Sequence, residues 1–158
     1  MKRHMIPMTM GFFTVVIILL PGSVFGQSTS GVTGAGAGAF PGSTTFSGVS
    51  VSGLHFDMGV FTPGDTTSTG QFQATLLGTS LLGQTQNIEI DGNAASGAIN
   101  TDGSRTFSGT ANVDMGNGSP PLTAVPFTVT ASANTLLMTI GVNNLPLASL
   151  TAGSIMID

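Results

Sequence analysis

The sequence predicts an all-β protein, either a single antiparallel β-sandwich or a small β-barrel of about seven to nine strands. From Ser43 onward apolar residues alternate with polar ones, as they do in strands with one buried face. Gly, Asn, Asp and Pro are dense between the alternating segments, which is typical of turns. The one helical alternative is a short turn within residues 74–82.

The clearest strand covers residues 105–115. Phe107, Ala111, Val113 and Met115 share one face, and polar side chains occupy the other. The same alternation predicts further strands around Phe72-Ala74-Leu76, Ile88-Ile90, Val125-Phe127-Val129 and Leu136-Met138-Ile140.

Turns and irregularities are marked by a second set of residues. The alternation changes parity at Gly53 and at Gly153, which predicts a β-bulge at each glycine. Pro120-Pro121 and Pro146 cannot donate to a sheet, so we expect them in loops or at edges. Residue pairs that tolerate positive φ predict tight turns at Asp91-Gly92, Asp102-Gly103, Asn117-Gly118 and Asn143-Asn144.

A short internal similarity raises the alternative of two related halves. Residues 42–48 and 103–109 are identical at six of seven positions. Each copy is followed by Asp-Met-Gly, at residues 57–59 and 114–116. The simpler interpretation is that both copies use ordinary strand and turn residues, because a true repeat should extend further.

Residues 1–26 have the pattern of an export signal. Lys2 and Arg3 precede the apolar residues 11–20, and Val24 and Gly26 are the small residues before a cleavage site. The apolar run is about half the length of a membrane-spanning helix, so we expect no integral membrane segment after cleavage. The predicted location is therefore outside the cytoplasm: periplasmic, cell-surface or extracellular.

The domain prediction places a flexible tether at residues 27–42 and one all-β domain at residues 43–158. The tether is predicted from its Gly, Ala and Ser content, because such residues gain little from ordering. A strand formed by the GAGAGA segment at residues 34–39 is the alternative.

Charged side chains are scarce after the predicted cleavage site. Arg105 is the one Lys or Arg there, against seven Asp and Glu, giving a formal charge of 1 − 7 = −6. Such a chain lacks the basic surface that binds nucleic acid or anionic membranes. We expect Arg105 to pair with a cross-strand carboxylate or to lie over neighbours of Phe107. With no cysteine, stability must come from burial and backbone pairing.

Two small constellations could carry catalysis. His55 and Asp57 are two residues apart on one strand face, where a carboxylate can orient an imidazole. Glu89 and Asp91 have the same spacing and could form a glycosidase pair. A solvent-facing His beside Asp is the commoner arrangement, and sugar sites usually add Trp or Tyr, which this chain lacks. The sequence therefore predicts no enzyme and no catalytic residue.

Metal binding is restricted to calcium, because zinc and copper sites need His or Cys clusters. Oxygen ligands come from six residues that would have to gather at one end of the fold. The alternative is that these residues only form turns. The calcium candidates are Glu89, Asp91, Asn93, Asp102, Asp114 and Asn117.

The composition favours a role based on shape. The first prediction is an exported, non-catalytic surface, matrix or interaction module, with a protein partner or self-association through strand edges. The alternative is a module that holds a small lipophilic ligand in an apolar cavity, and the third is a weak calcium-binding module. The cavity alternative requires a void lined by Phe46, Phe56, Phe72, Phe107 and Phe127.

Overall fold

The computed structural model describes residues 29–63 and 67–158, and the prediction of an all-β protein is confirmed. Over these two ranges, no helix has the length and apolar character needed to cross a bilayer. The strands are β1 (Thr29–Ala39), β2 (Thr45–Phe46), β3 (Val49–Pro63), β4 (Thr67–Thr79), β5 (Ile88–Ile99), β6 (Arg105–Asp114), β7 (Leu122–Ala131), β8 (Thr135–Ile140), β9 (Asn143–Asn144) and β10 (Ala148–Ile157).

All ten strands belong to one antiparallel sheet that returns on itself. Strands β3 to β8 pair consecutively, β8 pairs with β10, β10 with β1, and β1 with β3. Eight strands therefore form a closed ring. The two-residue strands β2 and β9 pair with β3 and β8 outside this circuit.

The core fills the inside of the ring with the apolar side chains of the alternating pattern. Phe72, Phe107 and Phe127 lie on three different strands and are almost completely buried. The ring centroids of Phe72 and Phe107 are 5.9 Å apart in an edge-to-face arrangement. Phe72 and Phe127 are stacked with centroids 5.9 Å apart, and Phe107 meets Phe127 edge-on at 6.2 Å. These are favourable aromatic geometries, so the rings stabilise the packing of the strands.

The prediction of a flexible tether over residues 27–42 is wrong from Thr29 onward, because residues 29–39 form β1. This strand lies between β3 and β10 and pairs with both. A Cβ atom at Gly34 would be 2.6 Å from the oxygen of Ser154, and one at Gly36 would be 2.3 Å from that of Ala152. The glycines are thus required by the close approach of β10. Residues 27 and 28 and the predicted export signal lie outside the described residues.

Two of the four predicted turns are also wrong. Asp91-Gly92 lies inside β5, paired with Gln73 and Phe72 on one side. Asn143-Asn144 forms β9, and the turn is at residues 141–142. The turn at Asp102-Gly103 is confirmed, with Gly103 N donating to Asn100 O at 3.0 Å. Asn117-Gly118 lies in the loop between β6 and β7, also as predicted.

The irregularities occur close to the predicted glycines. The pairing of β3 with β4 shifts register between Val51 and Gly53, which confirms the first bulge. In β10 the shift falls between Leu150 and Ala152, next to Gly153, which has a φ of 88° that favours glycine. No helical turn forms at residues 74–82, which comprise the end of β4 and the following turn.

The two copies of the internal similarity have different local structures. Residues 42–48 contain the two-residue β2 and the turn into β3. Residues 103–109 contain the β5–β6 turn and the beginning of the long strand β6. The copies share a buried phenylalanine, Phe46 or Phe107, but not the surrounding backbone.

Candidate functional site

The outer face of β3, β4 and β5 brings together the two constellations that the sequence analysis treated separately. The register aligns His55 with Thr75 and Thr75 with Glu89. One step along, Asp57 aligns with Gln73 and Gln73 with Asp91 in the same way. Because neighbouring strands are about 4.8 Å apart, the backbones of β3 and β5 are about 10 Å apart at this point.

These side chains line a shallow groove of about 370 Å³. His55, Asp57, Glu89 and Asp91 are exposed, and within the described part of the chain their side chains have no hydrogen-bond or ion-pair partner. Across residues 29–63 and 67–158, no three His, Asp or Glu residues are grouped so that they could hold a metal ion. The groove thus carries three carboxylates and one imidazole on an exposed face of the sheet.

The calcium candidates are divided between two ends of the β5–β6 hairpin. Glu89 aligns with Asp114 near one end, and Asp91 and Asn93 follow outward-facing along β5. Asp102 lies beyond the other end of β5, which ends at Ile99, so the strand separates it from Glu89 by about 30 Å. The structure therefore does not bring all six residues to one site.

Several candidates also have a local role in turns. The Asp102 carboxylate accepts hydrogen bonds from Ser104 Oγ at 2.6 Å and Ser104 N at 2.9 Å. These bonds favour the ionised form and lower the pKa of Asp102 below its ordinary value. Asp114 Oδ1 accepts from Gly116 N at 2.8 Å, and Asn117 Oδ1 accepts from Ser119 N at 3.0 Å. These are the self-contained bonds that Asp and Asn form in turns.

Arg105 donates hydrogen bonds to main-chain oxygens in the described structure. Its Nη2 donates to Asp158 O at 2.5 Å and its Nη1 to Gly103 O at 3.2 Å. The guanidinium therefore joins the β5–β6 turn to the end of β10.

The opposite end of the ring is formed by loops that contain no charged residue. These loops are residues 40–48, which include β2, residues 80–87 and 115–121, and residues 141–147, which include β9; together they are called the apolar end below. Residues from the first three loops line one concavity of about 600 Å³. Ser47 N donates to Asn143 Oδ1 at 3.0 Å, which connects the fourth loop to the first. The four loops are therefore adjacent.

The tips of the apolar end are large aliphatic side chains. Leu81 is 95% exposed and Leu82 is 86% exposed, and Val142 on the fourth loop is 94% exposed. The turn that carries the leucines is held by main-chain bonds from Gly83 N to Ser80 O at 2.9 Å and from Ser80 N to Gln84 O at 2.8 Å. The leucines thus project from an ordered turn.

Gln86 connects loop 80–87 to loop 115–121, because its Nε2 donates to Met115 O at 2.9 Å. Its main-chain N also donates to Gly78 O of β4 at 2.9 Å. Sequence reasoning missed this surface, because residues 74–82 were considered only as a strand or a helical turn. The available signal was an apolar pair between Ser80 and Gly83, in a segment without charge.

Comparisons of the chain with protein-family models, curated proteins and solved structures found no match. Function is therefore inferred from the surfaces of the described residues, among them the acidic groove and the apolar end. Among the described residues, Leu81, Val142 and Leu82 at the apolar end are the most exposed large apolar side chains, and the two leucines are carried by a hydrogen-bonded turn.

Proposed function

We propose that this protein is an exported, non-catalytic β-module that interacts with its target through the apolar end. The observation that carries the proposal is the near-complete exposure of Leu81 and Leu82 on a turn with internal hydrogen bonds. Adjacent exposed apolar side chains typically mark an interaction surface in a water-exposed domain.

The energetics favour burial of these tips on binding. Each leucine gains about 1.5–3 kcal/mol when its side chain leaves water completely. Association costs translational freedom and the ordering of flexible groups. Because the turn at residues 80–84 is already held by main-chain bonds, its backbone contributes little to that cost. The closed ring behind it provides a stable support for the loops.

The lipophilic-ligand alternative has less support. A void between the phenylalanine rings would favour it, whereas Phe72, Phe107 and Phe127 contact one another inside the ring. Calcium binding likewise has less support, since Asp102 and Glu89 are at different ends of the hairpin.

The interaction surface can be tested by hydrophobic-interaction chromatography on phenyl-agarose. We expect the variant Leu81→Ser/Leu82→Ser to elute at a clearly higher salt concentration than the wild type. The matched control is Leu137→Ser, which removes a leucine that is 44% exposed on β8, and it should elute close to the wild type. Equal retention of the double variant and the wild type would exclude the apolar end as the main adhesive surface.

Export is a separate part of the proposal and has its own test. Expression of the full chain in a bacterial host should give a protein outside the cytoplasm whose first residue is Gln27, measured by intact-mass spectrometry. A protein that retains Met1 and stays in the cytoplasm would contradict export without affecting the proposed contact surface.

A further inference from the structure

We propose that the apolar end binds the surface of an uncharged, zwitterionic lipid bilayer. This inference rests on the proposed function and specifies its partner. The binding is peripheral: the tips of the loops enter the interface while the ring stays in water. Three features of the described residues support this partner over a charged membrane or a protein.

The first feature is the distribution of charge. Asp57 and Asp91 lie on the outer face of the sheet, and the aligned residues Glu89 and Asp114 lie directly beside loops 80–87 and 115–121 of the apolar end. The one described cation, Arg105, is at the opposite end of the ring, next to the β5–β6 turn. Without cations at the contact surface, anionic headgroups offer no attraction, and the acidic outer face would be repelled by them. Only a surface without net charge is complementary to this end.

The second feature is the shape of the contact surface. Leu81, Leu82 and Val142 project so far that each is at least 86% exposed. Projecting tips bury little area against a flat, rigid protein, which would need a separate pocket for each tip. A lipid interface deforms around them and buries each side chain to the level of the acyl boundary.

The third feature is the polar surroundings of the tips. Ser80, Gln84 and Thr85 flank the two leucines and line the same concavity. Hydroxyl and amide groups at this level can exchange hydrogen bonds with water and with headgroup oxygens, so apolar insertion would not bury polar groups without partners. The two leucines are therefore surrounded by uncharged polar side chains.

The test is co-flotation with large unilamellar vesicles of phosphatidylcholine. The protein used begins at Gln27, because the apolar residues 11–20 would themselves bind lipid; the described ring begins at Thr29. We expect the wild type to float with these vesicles, and the addition of phosphatidylglycerol to leave binding unchanged or weaken it. Leu81→Ser/Leu82→Ser should weaken binding about tenfold or more.

Two further variants keep the result unambiguous. Val142→Ser changes the same surface on a different loop and should also weaken binding, whereas Leu137→Ser on β8 should bind as the wild type does. The side chains of Leu81, Leu82, Leu137 and Val142 are all exposed. Circular dichroism melts of the three variants should therefore give the same midpoint as the wild type.

Three outcomes would overturn the lipid assignment. These are a wild type that does not float with phosphatidylcholine, a double variant that binds as tightly as the wild type, and binding that strengthens with phosphatidylglycerol. A dimer in analytical ultracentrifugation that the double variant abolishes, without vesicle binding, would assign the surface to a second copy of this chain. In that case the lipid proposal fails while the proposed interaction function stands.

Discussion

The ring of Phe127 on β7 lies directly over Gly92 on β5, with strand β6 between them. A Cβ atom at residue 92 would be 2.8 Å from Cε1 of Phe127 and 3.0 Å from its Cζ. The missing side chain at residue 92 therefore creates the space into which the aromatic ring packs. This explains why a sequence pair that resembles a turn, Asp91-Gly92, is found in the middle of a strand.

Gly92→Ala should destabilise the protein by about 1–3 kcal/mol, because the Phe127 ring must move away from its stacked position on Phe72. Urea unfolding measures this difference. The matched control is Gly59→Ala in β3, where an added Cβ would meet no atom within 4 Å. The free energy of unfolding of the control should stay within about 0.5 kcal/mol of the wild-type value. Equal effects of the two substitutions would show that the ring does not restrict residue 92.

Phe72 is the ring shared by the stacked and one of the edge-to-face contacts, so its removal should have a large effect. Phe72→Ala should cost about 3–5 kcal/mol of unfolding free energy, measured by urea denaturation. Phe61→Ala, at a ring that is 44% exposed, should cost only about 1 kcal/mol. If the free energy of unfolding fell no more in the Phe72 variant than in the Phe61 variant, the aromatic cluster would not be the centre of the core.

The closure of the ring can be tested with an engineered disulfide, since the chain has no cysteine to interfere. Thr33 and Met156 are opposite each other on β1 and β10, and both are exposed. Thr33→Cys with Met156→Cys should oxidise completely within one chain and stabilise the fold by about 2–4 kcal/mol.

The control for the register is Thr33→Cys with Thr151→Cys. These positions should be about 16 Å apart along β10, too far for a disulfide. Mass spectrometry with and without reduction distinguishes the products. Cross-linking of the control pair, or its failure in the Thr33 and Met156 pair, would contradict the pairing of β1 with β10.

The Asp102 turn gives a prediction about pH. Because hydrogen bonds from Ser104 lower the pKa of Asp102, they stabilise the fold at pH values above the ordinary pKa of an aspartate. That stabilisation is lost as the pH falls through the lower folded-state value. Ser104→Ala should raise the pKa of Asp102 towards the ordinary value of an aspartate, measured by NMR titration of its carboxyl carbon. Ser96→Ala, in the same hairpin but bonded to Ser108, should leave the titration of Asp102 unchanged.

Much of the fold could be predicted from local pattern. The alternation of apolar and polar residues in β6 and the change of parity at Gly53 are local signals, and both correspond to the observed backbone. The errors at Asp91-Gly92 and at residues 29–39 have one cause. In both segments glycine is needed because a distant part of the chain, Phe127 or β10, comes close. A sequence shows the glycine but not its distant neighbour.

The sites were less predictable for the same reason. The spacing of His55 and Asp57, and of Glu89 and Asp91, correctly placed each pair on one strand face. Their meeting across β4 depends on the register of two hairpins, which local pattern does not specify. The exposure of Leu81 and Leu82 depends on where β4 ends, and element ends are set by the tertiary fold.

The pairing of β1 with β10 also has a consequence for how the molecule is made. Val32 is opposite Ile157, so these partners are 157 − 32 = 125 positions apart in the chain. A nascent chain that has not yet reached β10 leaves the glycine-rich strand with β3 as its one neighbour, and the wall of the ring stays open. Contacts of such long sequence separation form slowly, because the chain loses the entropy of closing a large loop before these contacts stabilise it. Completion of the ring is therefore a late step that requires β10 to have been synthesised.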